Sequence, residues 1–158
     1  MTRSHDEWTR LFRKVGARDP EEWASCEVNE DLGNLVTFVF LRQMWNEIPA
    51  SGDSAWLGKW MHAAREVESA KELVAACDRL IQCGASPGDV VTVIRGALGQ
   101  FLFNLTYKLD DNMVQDEELQ EAARWGLWEE DENDEPVRRI GCIHELVFSA
   151  DPENDDEG

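Results

Sequence analysis

Residues 87–109 have the sequence PGDVVTVIRGALGQFLFNLTYKL and form the longest apolar stretch of the chain. Their apolar side chains recur every three or four positions, as in an α-helix, and cover nearly its whole circumference. Such a helix is typical of a protein core or of a membrane span. Arg95, Lys108 and two amide side chains interrupt it well short of the roughly 20 continuous apolar residues that a bilayer requires. The stretch therefore predicts a central core helix and no membrane segment.

Helix-start signals precede most of the other apolar segments. Ser4 and Glu7 have the S-x-x-E spacing of a capping box, and Asp19 before Pro20 places a cap ahead of the first helical residue. Asp53 is a further predicted cap, because its carboxylate precedes another apolar segment. These signals predict a series of short helices before the long one.

The sequence does not distinguish helix from strand in two segments. In 31–48 the apolar spacing favours a helix, but Val36-Thr-Phe-Val-Phe40 is β-prone, so a strand stays as the alternative. In 125–148 the apolar residues fit either a final helix or a strand that follows a hairpin loop. The predicted fold class is mainly α, a single-domain bundle of about six helices around the central apolar helix at 87–109, with a small β-hairpin as the alternative in 125–148.

Negative charge is concentrated in the last third of the chain. The formal net charge is −18, and the residues after Leu109 contribute −15 of it, with 18 acids against three bases. We expect a single helical domain over 1–149, acidic from 110, followed by an acidic disordered tail at 150–158. Binding to nucleic-acid phosphates requires a basic surface, so we do not expect direct nucleic-acid binding. The negative charge instead predicts a basic protein partner.

The candidate partner-binding site is the aromatic and acidic stretch 125–135. Two tryptophans precede a run in which six of seven residues are acidic. Exposed aromatic side chains bordered by carboxylates are typical of an interface with a cationic protein. The alternative is that the two indoles anchor a solvated loop. The predicted contact residues are Trp125, Trp128, Glu129, Glu130, Asp131, Glu132, Asp134 and Glu135.

Metal-site motifs are present only in fragments. His144-Glu145 begins an HExxH zinc motif, but Phe148 stands where the second histidine belongs. An alternating pattern at 131–135 resembles the start of a calcium loop, yet Pro136 occupies the position of the required glycine. A zinc site without the usual spacing would draw on Cys77, Cys83, Cys142 and His144.

Catalytic motifs are also lacking, and no phosphate-binding glycine loop or nucleophile elbow occurs in the sequence. A thiol enzyme would need Cys26 or Cys142 beside His62 or His144, and nothing in the spacing supports such a pair. We therefore predict no enzyme activity, no bound metal and no cofactor.

The N-terminal segment lacks the basic and apolar regions of a secretory signal, which predicts a cytoplasmic protein whose four cysteines are core thiols. The predicted function is an acidic binding module that inhibits or regulates a basic partner. An immunity protein or a nucleic-acid-mimicking antagonist of a nuclease or defence system would have this character. The alternatives are a helical subunit of a larger protein assembly and a metal-dependent or thiol enzyme.

Overall fold

A computed structural model describes residues 3–30, 32–111, 117–123 and 125–154. The described chain is mainly helical and carries one small antiparallel hairpin, which confirms the predicted fold class and resolves 125–148 as the hairpin alternative. Short 3-10 helices lie at Glu68–Ala70 and Ile143–Leu146. The other elements are α1 (His5–Lys14), α2 (Pro20–Glu30), α3 (Asn34–Asn46), α4 (Ser54–Ala64), α5 (Lys71–Gln82), α6 (Pro87–Asp110), α7 (Glu117–Ala122), β1 (Leu127–Glu130) and β2 (Pro136–Ile140).

The chain divides into two compact units. The first unit consists of Met1–Trp45 with Phe101–Gly158, and the second unit is Asn46–Gln100. Helix α6 therefore begins in the second unit and ends in the first. The single domain predicted for 1–149 stays a prediction.

Two of the three predicted helix caps are confirmed by their hydrogen bonds, whereas the Asp19 carboxylate has no hydrogen-bond partner among the described residues. The Glu7 amide donates to Ser4 Oγ, and the Ser4 amide donates to Glu7 Oε2 at 2.8 Å, which completes the capping box of α1. Asp53 Oδ1 accepts from the Trp56 amide at 3.0 Å and caps α4. Each cap satisfies amides that have no partner in the first turn of a helix.

Helix α3 shows that the strand alternative for residues 36–40 is wrong. Thr37, Phe38, Leu41 and Trp45 are all buried, and their spacing places them on one face of the helix. Burial of that face outweighs the β-propensity of the individual residues, because propensity scales are small compared with the energy of burying a large side chain.

The core of the first unit contains three aromatic rings from α1, α2 and α3. The centroid of Trp23 lies 5.4 Å from that of Phe38 and 6.3 Å from that of Phe12, and Phe12 meets Phe38 edge to face. The segment after the hairpin joins this unit through Trp45, whose Nε1 donates to the carbonyl of Val147 at 2.7 Å. Ile140, Ile143 and Val147 are fully buried there.

The second unit has its own apolar core, formed between α4, α5 and the start of α6. Trp56 and Trp60 stack at its margin with their ring centroids 5.9 Å apart. The buried members are Leu57, Met61, Ala64, Val74, Cys77, Val90 and Val91.

Helix α6 is confirmed, but the expected burial around nearly its whole circumference is wrong. Leu102 and Thr106 are buried on one side, whereas Val93 is 72% exposed and Phe101 is 63% exposed. Apolar periodicity identifies a helix from local spacing, but it does not determine how many neighbouring elements cover each side. No helix within the described residues is both long enough and apolar enough to cross a membrane.

The structure differs from the sequence-based expectation for the cysteines and for the start of the C-terminal tail. All four cysteines are free thiols, but only Cys77 is buried, while Cys83 and Cys142 are exposed. Ala150, placed by the sequence in the disordered tail, is fully buried, and Asn154 Nδ2 donates to the Phe148 carbonyl at 2.9 Å. The remaining tail residues, 155–158, lie outside the described residues.

Candidate partner-binding hairpin

Strands β1 and β2 form an antiparallel hairpin that presents alternate residues on opposite faces. Leu127 lies opposite the buried Ile140, and Trp128 lies opposite the exposed Arg139. The next pair is Glu129 with Arg138, on the same face as Leu127. One face of the hairpin is therefore packed on the rest of the first unit, and the opposite face carries Trp128.

The turn between the strands is organised by Asp131. Its Oδ1 accepts from the Asn133 amide at 2.8 Å and from the Glu135 amide at 3.1 Å. Asp134 has a φ of 62°, the left-handed conformation that Asp tolerates better than most residues. The amides of Asn133 and then Glu135 hold the pKa of the Asp131 carboxyl below its usual range. Asp131 thus shapes the turn, which accounts for the residues at 131–135 that resemble the start of a calcium loop.

A cluster of three charged side chains joins the packed face of the hairpin to α2. Arg138 Nη2 lies 2.6 Å from Glu129 Oε2 and 3.3 Å from Glu27 Oε1. The side chain of Glu27 is 1% exposed, and its other oxygen accepts from the Asn34 amide at 2.8 Å, at the start of α3. A Cβ atom on Gly33 would lie 3.0 Å from Arg138 Nε, so the glycine leaves room for the guanidinium.

The two tryptophans of the predicted site have different environments. Trp125 is 43% exposed, and its Nε1 donates to the carbonyl of Lys108 at 2.8 Å, which ties it to the end of α6. Trp128 is 52% exposed on the outer face of β1. A Cβ atom on Gly126, between them, would lie 2.9 Å from Arg139 Nε. Trp125 is therefore anchored, whereas Trp128 offers an apolar surface to solvent.

The six predicted acidic contacts divide by their role in the hairpin. Glu129 is half-buried and paired with Arg138, and the Asp131 carboxylate is engaged by the turn. Side chains alternate along a strand, so the outward position of Trp128 turns its neighbour Glu129 inward. That alternation is the sequence signal that distinguishes Glu129 from the other acids. The four remaining acidic residues are exposed, and they are Glu130, Glu132, Asp134 and Glu135.

A histidine–carboxylate pair lies near the hairpin and was not anticipated. Asp110 Oδ2 accepts from the His144 amide at 2.9 Å and lies 2.5 Å from His144 Nδ1. The imidazole packs edge to face on Tyr107 and Phe103. The two partners are 34 residues apart with no motif between them, so no sequence signal identifies the pair.

The surroundings of this histidine include a cysteine whose thiolate is disfavoured. Cys142 precedes it by two residues and is exposed as a residue, but partial burial of its thiol, then Glu145 and Asp110, raise the pKa of that thiol. A catalytic thiol needs the opposite shift, because the thiolate is the nucleophile. Within the described residues, no three His, Cys, Asp or Glu side chains are grouped so as to hold a metal ion, and this includes Cys77, Cys83, Cys142 and His144.

Comparison with known proteins assigns no family to the chain. No protein-family model matches it, and neither the curated proteins nor the solved structures contain a significant match.

Proposed function

We propose that this chain is an acidic protein-binding module that inhibits or regulates a basic partner, with the outer face of the hairpin as its contact surface. The observation that supports this most is that one hairpin carries both the exposed Trp128 and four exposed acidic residues. An exposed aromatic side chain on an element with an excess of carboxylates combines apolar contact area with electrostatic attraction to a cationic surface. Arg139, opposite Trp128, contributes one positive charge to the same face.

The hairpin is pre-organised for this role. The Glu27–Arg138–Glu129 cluster holds the packed face against the first unit, and Asp131 holds the turn. Little conformational entropy would then be lost when the outer face binds, which favours affinity. The surrounding carboxylates would accelerate association by attracting a basic surface over a distance.

The proposed mechanism is occlusion of a basic cleft. An immunity protein that covers the active site of a basic nuclease would act in this way, as would an antagonist that imitates the phosphates of a nucleic acid. Both actions suit a cytoplasmic protein.

Converting the four outward acids to amides tests the proposal. We expect Glu130→Gln, Glu132→Gln, Asp134→Asn and Glu135→Gln together to reduce capture of a basic partner from native lysate roughly tenfold at low salt, because steering charge is lost. The remaining binding should depend less on salt. Capture at low and high salt, followed by mass spectrometry, measures both effects.

The matched control removes the same number of charges from exposed positions elsewhere. It combines Glu30→Gln, Glu47→Gln, Glu66→Gln and Glu72→Gln, all exposed. If the two variants capture the partner equally well, net charge and not the hairpin governs binding, and the site assignment is wrong.

A second candidate function, a subunit of a larger assembly, is favoured by the exposed apolar residues of α6. Val93 and Phe101 are the two most exposed large apolar side chains of that helix among the described residues. On this view the isolated protein self-associates through uncovered apolar surface. Sedimentation velocity should then show oligomers of the parent protein and monomers of the Phe101→Ser variant. The binding-module proposal predicts that the parent protein and the variant are both monomeric.

A further inference from the structure

An open cavity of about 300 Å³ lies in the first unit, between the start of α2, α3 and the C-terminal segment. This volume is at the lower end of the range for ligand sites, which suits a small group or a single side chain. The lining residues that determine its chemistry are Arg18, Asp19, Glu22, Trp23, Cys26 and Phe38.

The inner part of the cavity is aromatic and firmly held. Phe38 is almost fully buried, and it meets Trp23 edge to face with the ring centroids 5.4 Å apart. Trp23 also stacks against Phe12 in the core, so its indole is fixed by neighbours on two sides. A ligand in the cavity would meet an aromatic wall that does not need to rearrange.

The mouth of the cavity carries an excess of negative charge. Asp19 and Glu22 are exposed, three residues apart at the start of α2, and neither carboxylate has a hydrogen-bond or ion-pair partner among the described residues. Arg18 opposes them with one positive charge and is already engaged in interactions of its own. The net charge of the lining is −1, which disfavours an anion.

We propose that this cavity binds one arginine side chain, with its guanidinium between the Asp19 and Glu22 carboxylates and its planar face toward Trp23. A guanidinium pairs with carboxylates in a fork geometry and stacks on indole, while its aliphatic stem covers apolar surface. The proposal rests on the proposed function for the origin of the arginine, which is a side chain of the basic partner. The cavity would then be a second anchor besides Trp128.

The first test uses a capped arginine, Nα-acetyl-arginine amide, as the probe. The signal of the Trp23 indole N–H in a ¹⁵N correlation spectrum, assigned by its loss in Trp23→Phe, should shift saturably as the probe is added. Nα-acetyl-citrulline amide has nearly the same shape without the charge, and it should cause no saturable shift. Equal binding of the two compounds would overturn the proposal.

Amide replacement at the mouth provides the matched variant. Asp19→Asn with Glu22→Gln should weaken probe binding about tenfold, since charge-assisted hydrogen bonds become neutral ones. The fold should persist, because both residues are exposed and neither carboxylate has a hydrogen-bond partner among the described residues. Glu66→Gln with Glu72→Gln removes two charges in the second unit and should leave the affinity unchanged. A similar loss in both variants would contradict the assignment to the cavity.

Cys26 gives a readout that does not depend on the tryptophan. In a chain with Cys83→Ser and Cys142→Ser, Cys26 is the remaining thiol that is not buried. Saturating capped arginine should slow its alkylation by iodoacetamide several-fold, and capped citrulline should not. Unchanged alkylation under saturation would show that the probe binds elsewhere.

Comparison with free arginine distinguishes the two sources of a guanidinium. If the guanidinium comes from a partner's side chain, the capped form should bind at least as well as free arginine. A clear preference for the free amino acid would indicate a small-molecule site and overturn the assignment to a partner. Failure of the hairpin amide test with intact arginine binding would refute the proposed contact surface alone. Failure of arginine binding with a successful hairpin test would refute only the cavity.

Discussion

Replacing Arg138 by methionine is expected to lower the free energy of unfolding by about 3 kcal/mol, because the carboxylate of Glu27 would remain buried without its cation. Glu27 would keep its hydrogen bond to the Asn34 amide, which offsets part of the loss. Urea denaturation followed by far-UV circular dichroism measures the change. The expected loss of stability is smaller than for a fully buried ion pair because the Arg138 side chain is partly exposed.

Arg139→Met is the matched control on the same strand. Arg139 is exposed, and its guanidinium makes one long hydrogen bond, 3.3 Å, to the carbonyl of Asp110. We expect this variant to lose less than about 1 kcal/mol, as exposed charges generally contribute little. The double variant Glu27→Gln with Arg138→Met should recover part of the stability. Equal losses at 138 and 139 would mean that the buried charge cluster does not hold the hairpin.

Replacing Leu57 by alanine should destabilise the protein by about 2–5 kcal/mol, the usual result of deleting a large side chain from a packed core. Leu57 is almost fully buried in the apolar cluster of the second unit. Differential scanning calorimetry measures the change. Leu73→Ala, at an exposed position of α5, is the control and should alter stability by less than about 0.5 kcal/mol.

The same variant tests the prediction of a single domain. Helix α6 contributes residues to both units without a break, so we expect its two halves to unfold together. One calorimetric transition is therefore expected in Leu57→Ala, as in the parent chain. Two separated transitions in the variant would show two independently folding units and contradict the single-domain prediction.

Features defined by neighbouring residues were predictable from the sequence. The capping box of Ser4 and Glu7 and the cap at Asp53 depend on groups three residues apart, and both are present in the structure. The long apolar helix was predicted for the same reason, since its period is a local property. In the candidate site, composition identified the aromatic and acidic stretch. It did not show which acids are paired within the fold and which are exposed.

Features that depend on distant residues were not predictable. Glu27 lies in an ordinary acidic helix segment of the sequence, and only the approach of Arg138, 111 residues later, makes it a buried ion-pair partner. Asp110 and His144 meet for the same reason, as do the walls of the cavity between α2 and α3.

The sequence by itself determined the helices, their caps and the location of the negative charge, because short-range hydrogen bonding and periodic burial are encoded within a few residues. The tertiary structure alone decided which carboxylates face solvent, which are paired, and which side of α6 stays uncovered. Those outcomes depend on the packing of segments far apart in the chain, where the burial of each group is set by its neighbours in space.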